Sequence, residues 1–176
     1  RPLVGGIQLD PQLKASRRMF DVIFRTLAVG DSAVPAHGMG RITEQLAQSL
    51  HSTPIHLNTR VMSTTPGSVT LENGHTISAR AIVVATEGPV ASSLLSLRAV
   101  ASQAAGAVYF AAPTSPIEGS YIVLDGEGRG PVYNVAVMSQ VSPHYAPHGQ
   151  HLIAAALPGL VDGDIEAAAR RQLRGW

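Results

Sequence analysis

Three kinds of residue in this 176-residue chain could do chemistry: histidines gathered in one loop, carboxylates standing in a pair, and glycines ahead of a helix. His144, His148 and His151 are close enough in sequence to suggest a metal shell, since neutral imidazole is a common ligand. Pro143 and Pro147 oppose a regular helix there, and no carboxylate lies near to complete the shell, so they read as loop histidines with no metal. His37 could serve as a general base, but no Asp or Ser accompanies it, and it reads as a turn residue. Asp162 and Asp164 resemble a paired-carboxylate site, which a helix cap at Asp164 explains more simply. The chain has no cysteine, which excludes disulfides, thiolate catalysis and zinc–cysteine sites. Nor does it contain G-x-S-x-G, a Walker loop or H-E-x-x-H.

The glycines carry more. In Gly38-Met39-Gly40 they permit positive φ and close approach of a ligand or another element. A helix beginning at Arg41 or Thr43 follows, with Ile42, Leu46 and Leu50 on one face, and its N-terminus offers loose N–H groups to an anion. Alone this is weak, because Thr43 stands where the third glycine of G-x-G-x-x-G would be.

The elements that must position these residues follow from periodicity. Residues 1–12 read as extended at best, with Gly5 and Gly6 marking a turn or a close backbone approach. Leu13, Phe20, Phe24 and Leu27, beside Met19 and Ile23, recur at helical spacing up to Gly30 and Asp31. That stripe reads as the inner side of a core helix, with a hydrophobic substrate tunnel as the alternative. Pro54 to Val61 alternates like a half-buried strand. Pro66-Gly67 makes a turn, and Asn73-Gly74 a type I′ hairpin between Val69–Leu71 and Thr76-Ile77. Ala81 to Ala85 reads as a strand buried on both faces, ending in the turn Thr86-Glu87-Gly88-Pro89. Ligands of α/β sheets gather beyond such strand ends. Ser92 to Ser102 is short, helical or irregular. Ala107–Ala111, Tyr121–Leu124, Val132–Val137 and Leu152–Ala156 are four further strands, separated by Pro and Gly, which predicts a largely antiparallel meander. A last helix spans Ile165 to Leu173, with Glu166 in its first turn and Arg170, Arg171 and Arg174 towards its end.

Composition limits the function classes. Apolar residues make 45% and charged residues 14%, with no apolar window of the roughly 18 residues a membrane span needs. Net charge is +1 and well mixed, which argues against nucleic-acid binding. Arg1 is not a natural start and R-Q-L-R-G-W (171–176) looks cut inside a helix, so an internal fragment is expected.

The stretch from Val34 to Pro89 resembles the flavin-containing amine oxidase and phytoene-desaturase-like superfamily of FAD-dependent oxidoreductases. Pro35-Ala36-His37-Gly38-Met39-Gly40-Arg41-Ile42 with Leu46 and Leu50 is similar to the family's P-x-G-G-M-x-x-L-x-x-x-L, with His37 in place of one glycine. Glu72-Asn73-Gly74 resembles its hairpin turn, and Val83 to Pro89 its V-V-A-T-x-x-P. The resemblance implies an α/β fold with α+β character: part of a Rossmann-like FAD-binding domain plus an antiparallel-sheet substrate domain. It implies that 1–33 and 91–176 serve the substrate domain and 34–90 the FAD-binding domain. FAD would be met by Gly38, Met39, Gly40, Val61 (at the adenine end), Ala85, Thr86 and Glu87, with no catalytic residue named. The dinucleotide fingerprint and the segment that closes over flavin in this family are not among these 176 residues, so the resemblance implies that holding FAD requires segments outside them. The implied reaction is hydride transfer from an apolar or amine substrate to flavin. The alanine-rich pattern is similar to plastid members, which implies a carotenoid-like substrate and a chloroplast setting. A non-catalytic scaffold in a larger assembly with protein partners is the alternative, and a small acid–base hydrolase using His37 or the histidine cluster a third.

Overall fold

The computed structural model describes residues 2–159 and 162–176. The chain divides into two compact units, one of residues 1–45 and 103–176, the other of residues 46–102.

In the first unit, residues 2–7 form a short helix, α1 (Pro2–Ile7), where an extended segment was expected. Asp10 N–H donates to the Gly5 carbonyl (2.9 Å), and a Cβ on Gly5 would stand 3.1 Å from the Asp10 carbonyl, so a close backbone approach does occupy this glycine. The next helix, α2, covers Arg17–Val29 and starts later than the periodicity predicts. Ser16 caps it, accepting from the Arg18 N–H, while Leu13 sits at φ 57° and cannot continue a helix backwards. Gly30 closes it as expected, donating to the Thr26 carbonyl. Its apolar stripe is not a core face: none of its residues is buried, and Met19 and Phe24 are each 54% exposed. Phe20 and Phe24 stack on each other (5.4 Å between centroids) and, with Ile23, flank Leu3, Val4 and Ile7 of α1 in a narrow cleft.

Among the described residues, the core of this unit is a four-stranded antiparallel sheet: β4 (Gly106–Ala112), β5 (Ile122–Leu124), β6 (Asn134–Val137) and β7 (His151–Leu157). All four expected strands are present. Their order is β4-β7-β6-β5, so β4 lies beside β7 and the plain meander becomes a Greek-key order. The register, with Phe110 opposite Ile153 and Val135 opposite Ala155, puts Val108, Phe110, Val123, Val135, Val137, Ile153, Ala155 and Leu157 on one face. Helix α6 (Ile165–Leu173) covers that face, packing Ala169 and Leu173 on Val135, Ala155, Phe110 and Ile153. Asp164 caps it as expected, its carboxylate accepting from the Ala167 N–H (2.9 Å).

The second unit holds a three-stranded antiparallel sheet, β1 (Val61–Thr65), β2 (Ser68–Leu71) and β3 (Thr76–Ser78). Pro66-Gly67 turns β1 into β2, with Gly67 at φ 92°. The second hairpin forms at Asn73-Gly74, but not as type I′, which needs positive φ at both central residues. Gly74 alone has it (82°), and its N–H returns to the Leu71 carbonyl (3.0 Å), the pattern of a type I turn with a glycine bulge. Two expected strands are absent. Pro54 to Arg60 forms a turn, with Asn58 at φ 52°, and strand pairing begins only at Val61. Ala81 to Ala85 is neither paired nor buried on both sides: Ile82 and Val84 are half-buried and Val83 is 87% exposed. An apolar run becomes a strand only against a neighbour: among the described residues Ala81–Ala85 has none, and Pro54–Arg60 meets the end of β2 only at its last residue, where Glu72 N–H donates to the Arg60 carbonyl (2.9 Å). The expected turn at Thr86–Pro89 is the entry to a helix, α4 (Gly88–Leu94), with Glu87 at its N-cap.

Candidate functional site

The glycine turn is built from the backbone outward. Gly38 N–H donates to the Pro35 carbonyl (3.2 Å), closing Pro35-Ala36-His37-Gly38, and Gly38 leaves the turn at φ 99°, a value that glycine alone adopts without strain. Helix α3 (Gly40–Ser49) then starts one residue earlier than expected, its first turn closed by Arg41 N–H to the Gly38 carbonyl (3.1 Å). Met39 is 59% exposed. A Cβ on Gly38 would meet nothing within 4 Å, and one on Gly40 only the Glu44 carboxylate at 4.0 Å. The turn is therefore open on its outer side, and a ligand can approach its backbone. The face of Ile42, Leu46 and Leu50 is exposed along α3.

Sequence reasoning missed what holds this turn. After β6 the chain makes one helical turn, α5 (Met138–Val141), and a 3-10 turn at Pro143–Tyr145. The buried Ser142 hydroxyl donates to the Ala36 carbonyl (3.1 Å), and the Tyr145 phenol donates to the Pro35 carbonyl (2.9 Å). The His37 and His144 rings lie 4.1 Å apart, tilted by 41°. His151 pairs Nδ1 with the Ser139 hydroxyl (3.1 Å), His144 packs on His37, and His148 is exposed, so the three loop histidines do not converge. Among the described residues no group of three ligating side chains could hold a metal ion. The partners of this turn lie more than 100 residues away in sequence, beyond any local pattern.

The remaining expected cofactor residues lie in the second unit. Val61 opens the edge strand β1 half-buried, where the pairing with β2 shifts register between Val61 and Ser63. An edge strand keeps one row of backbone groups free for a partner. Ala85, Thr86 and Glu87 are exposed along the run into α4. Glu87 makes no side-chain cap to α4 and no ion pair among the described residues, so its carboxylate is uncommitted. Each unit, taken by itself, offers groups that a ligand could meet: open backbone at Gly38–Gly40 in the first, and the edge-strand backbone at Val61 with the Glu87 carboxylate in the second.

The four-stranded sheet offers a second surface. The face opposite α6 carries Tyr109, Ala111, Ala136, Ala154 and Ala156 across its middle, with Ile122 and Leu124 at the β5 edge. Tyr109 is 64% and Ile122 61% exposed, while Ala136, Ala154 and Ala156 are half-buried and Gly6 of α1 comes close to Asn134 on the same face, so the face is open at Tyr109 and Ile122 and partly covered by α1 at Asn134. On the face that α6 covers, a cavity of about 360 Å³ lies among Phe110, Ile117, Val123, Ile153 and Leu173. Arg170 borders it, 4.9 Å from the Phe110 ring centre and paired with Glu166. No helix among the described residues is long and apolar enough to cross a membrane.

No curated protein matches the chain in sequence. The sequence model of the flavin containing amine oxidoreductases matches residues 2–176, almost the whole length. With a match of that extent, the chain belongs to the flavin-containing amine oxidoreductase family, whose cofactor is FAD.

Proposed function

We propose that this chain serves hydride transfer from an apolar or amine substrate to flavin, with residues 34–90 serving the cofactor and 1–33 and 91–176 the substrate. FAD, when bound, supplies the two-electron acceptor for a substrate C–H bond. The chain's part is to hold the cofactor and to shape and dry the substrate space. Gly38, Met39, Gly40, Val61, Ala85 and Thr86 would meet FAD through backbone groups, and Glu87 through its carboxylate. The substrate would lose a hydride and a proton, gaining a C=N or C=C bond.

The observation that carries this reading is the partly open, alanine-floored sheet face in a chain of this family. Alanines make its floor flat, and Tyr109, Ile122 and Leu124 add apolar surface beside it, which suits docking of a flat or extended apolar molecule that would displace water on binding. Both a polyene of the carotenoid kind and an amine with an apolar body are candidates for such a face.

The test is an FAD titration followed anaerobically with amines and polyenes. Saturable quenching of flavin fluorescence, then bleaching of the flavin bands by one class, is the expected result. Ala154→Trp, which raises a bulky ring from the floor, should increase KM for that substrate at least tenfold without lowering FAD affinity. Binding without bleaching by either class would overturn the hydride-transfer reading and leave a flavin-binding scaffold.

A further inference from the structure

The contacts around Pro35 and Ala36 form a continuous link between the substrate-side sheet and the glycine turn. It begins in β7, where Leu152 N–H donates to the Ser139 hydroxyl (3.3 Å) and His151 Nδ1 shares that hydroxyl (3.1 Å). Ser139 lies in α5, which runs directly into Ser142, His144 and Tyr145. Ser142 N–H returns to the Met138 carbonyl (3.0 Å), and the Ser142 hydroxyl also accepts from the His144 N–H, so the 3-10 turn is internally set before it reaches outward. Two hydroxyls then take two successive carbonyls, Ser142 that of Ala36 and Tyr145 that of Pro35. The Pro35 carbonyl is the same one that accepts from the Gly38 N–H. The imidazoles of His37 and His144 pack beside these bonds.

We infer that Ser142 and Tyr145 are positioning residues: they fix the carbonyls of Ala36 and Pro35 and thereby hold the open Gly38-Met39-Gly40 turn in its ligand-accepting form. The inference rests on the reading of that turn as a cofactor contact. Two bonded carbonyls in a row fix the peptide planes on both sides of Ala36, and the next two residues lead to the positive-φ glycine. With its outer side open, the turn has no other contact there to define its shape. The link also gives the sheet a route to the cofactor turn, because α5 and the 3-10 turn connect β6 to β7 directly. His37, which stands where the family pattern has glycine, contributes its ring to the same contact with His144.

The experiment uses the chain joined to the family's dinucleotide-binding segments, and four variants: Ser142→Ala, Tyr145→Phe, Ser142→Thr and, as control, the exposed Tyr121→Phe. Two readouts are taken: FAD affinity from fluorescence quenching, and hydrogen exchange of the Gly38 and Arg41 amides without FAD. Ser142→Ala and Tyr145→Phe should each weaken FAD binding about tenfold and speed exchange at Gly38 and Arg41 several-fold. Ser142→Thr, which keeps the hydroxyl, and Tyr121→Phe should match the unmodified chain in both. Faster exchange with unchanged FAD affinity would reduce the two residues to a structural role and overturn the inference, as would no change in either readout. If the unmodified chain binds no FAD, the cofactor reading of the turn falls and the positioning role falls with it. Exchange at Gly38 and Arg41 still tells whether the clamp itself exists.

Discussion

Gln172 shows how one side chain can substitute for a missing strand partner. Its carbonyl accepts from the Val132 N–H and its amide donates to the Val132 carbonyl (2.9 Å each), the two bonds that a neighbouring strand would make. The amide also donates to Asp125 (3.0 Å), a buried carboxylate that accepts from the Glu127 and Gly128 N–H groups. Gln172→Leu leaves both backbone groups of the fully buried Val132 unpaired, so it should destabilise the chain by about 3 kcal/mol in urea unfolding. At Gly38 the backbone sits at φ 99°, and Gly38→Ala should cost about 1–2 kcal/mol by the same measurement although no atom is close enough to clash. A cost at Gly38 below a few tenths would mean that the turn is free to rearrange.

At the scale of elements, α6 is supported unequally by its features. The Asp164 cap satisfies one of the orphan N–H groups, and Asp164→Ala should cost about 1 kcal/mol. The Glu166–Arg170 pair is half-exposed at i, i+4, so Glu166→Gln should cost less than about 0.5 kcal/mol. Thermal unfolding of the two variants would rank them, and the reverse order would mean that the ion pair holds the helix. Helix α2 has the stronger amphipathic pattern, yet it fully buries none of its residues and only half-buries Phe20 and Ile23, because α1 is too short to cover a thirteen-residue stripe. Periodicity says which side of a helix is apolar, while burial depends on what the rest of the chain brings to it.

For the whole molecule, the run Ala81–Ala85, which has no strand partner among the described residues, should open more readily than the paired sheets. Among the described residues, Ala81 to Ala85 make no backbone hydrogen bonds, whereas β7 is paired on both sides. Native-state hydrogen exchange should therefore find the Ala81–Ala85 amides exchanging orders of magnitude faster than those of Ile153–Ala156. Comparable protection in the two would mean that Ala81–Ala85 pairs with something else in solution, a second copy of the chain included.

Local chemistry in the sequence was enough for much of this. The four strands of the larger sheet, the Asp164 cap, the Gly30 stop and the Pro66-Gly67 and Asn73-Gly74 turns all follow from period, capping and φ preference, which act within a few residues. The glycine turn was likewise legible at Gly38–Gly40, because positive φ leaves a mark in residue type. Tertiary structure alone decided the rest. That β4 joins β7, that Ser142 and Tyr145 hold the Pro35–Ala36 carbonyls, and that Gln172 pairs with Val132 are contacts across 40 to 110 positions. They rest on single hydroxyls and amides of types common everywhere in the chain. The reverse holds for Pro54–Arg60 and Ala81–Ala85, where the apolar pattern of a strand is written in full. A strand is completed by its neighbour's hydrogen bonds, and a pattern read along one segment carries no information about whether that neighbour is there.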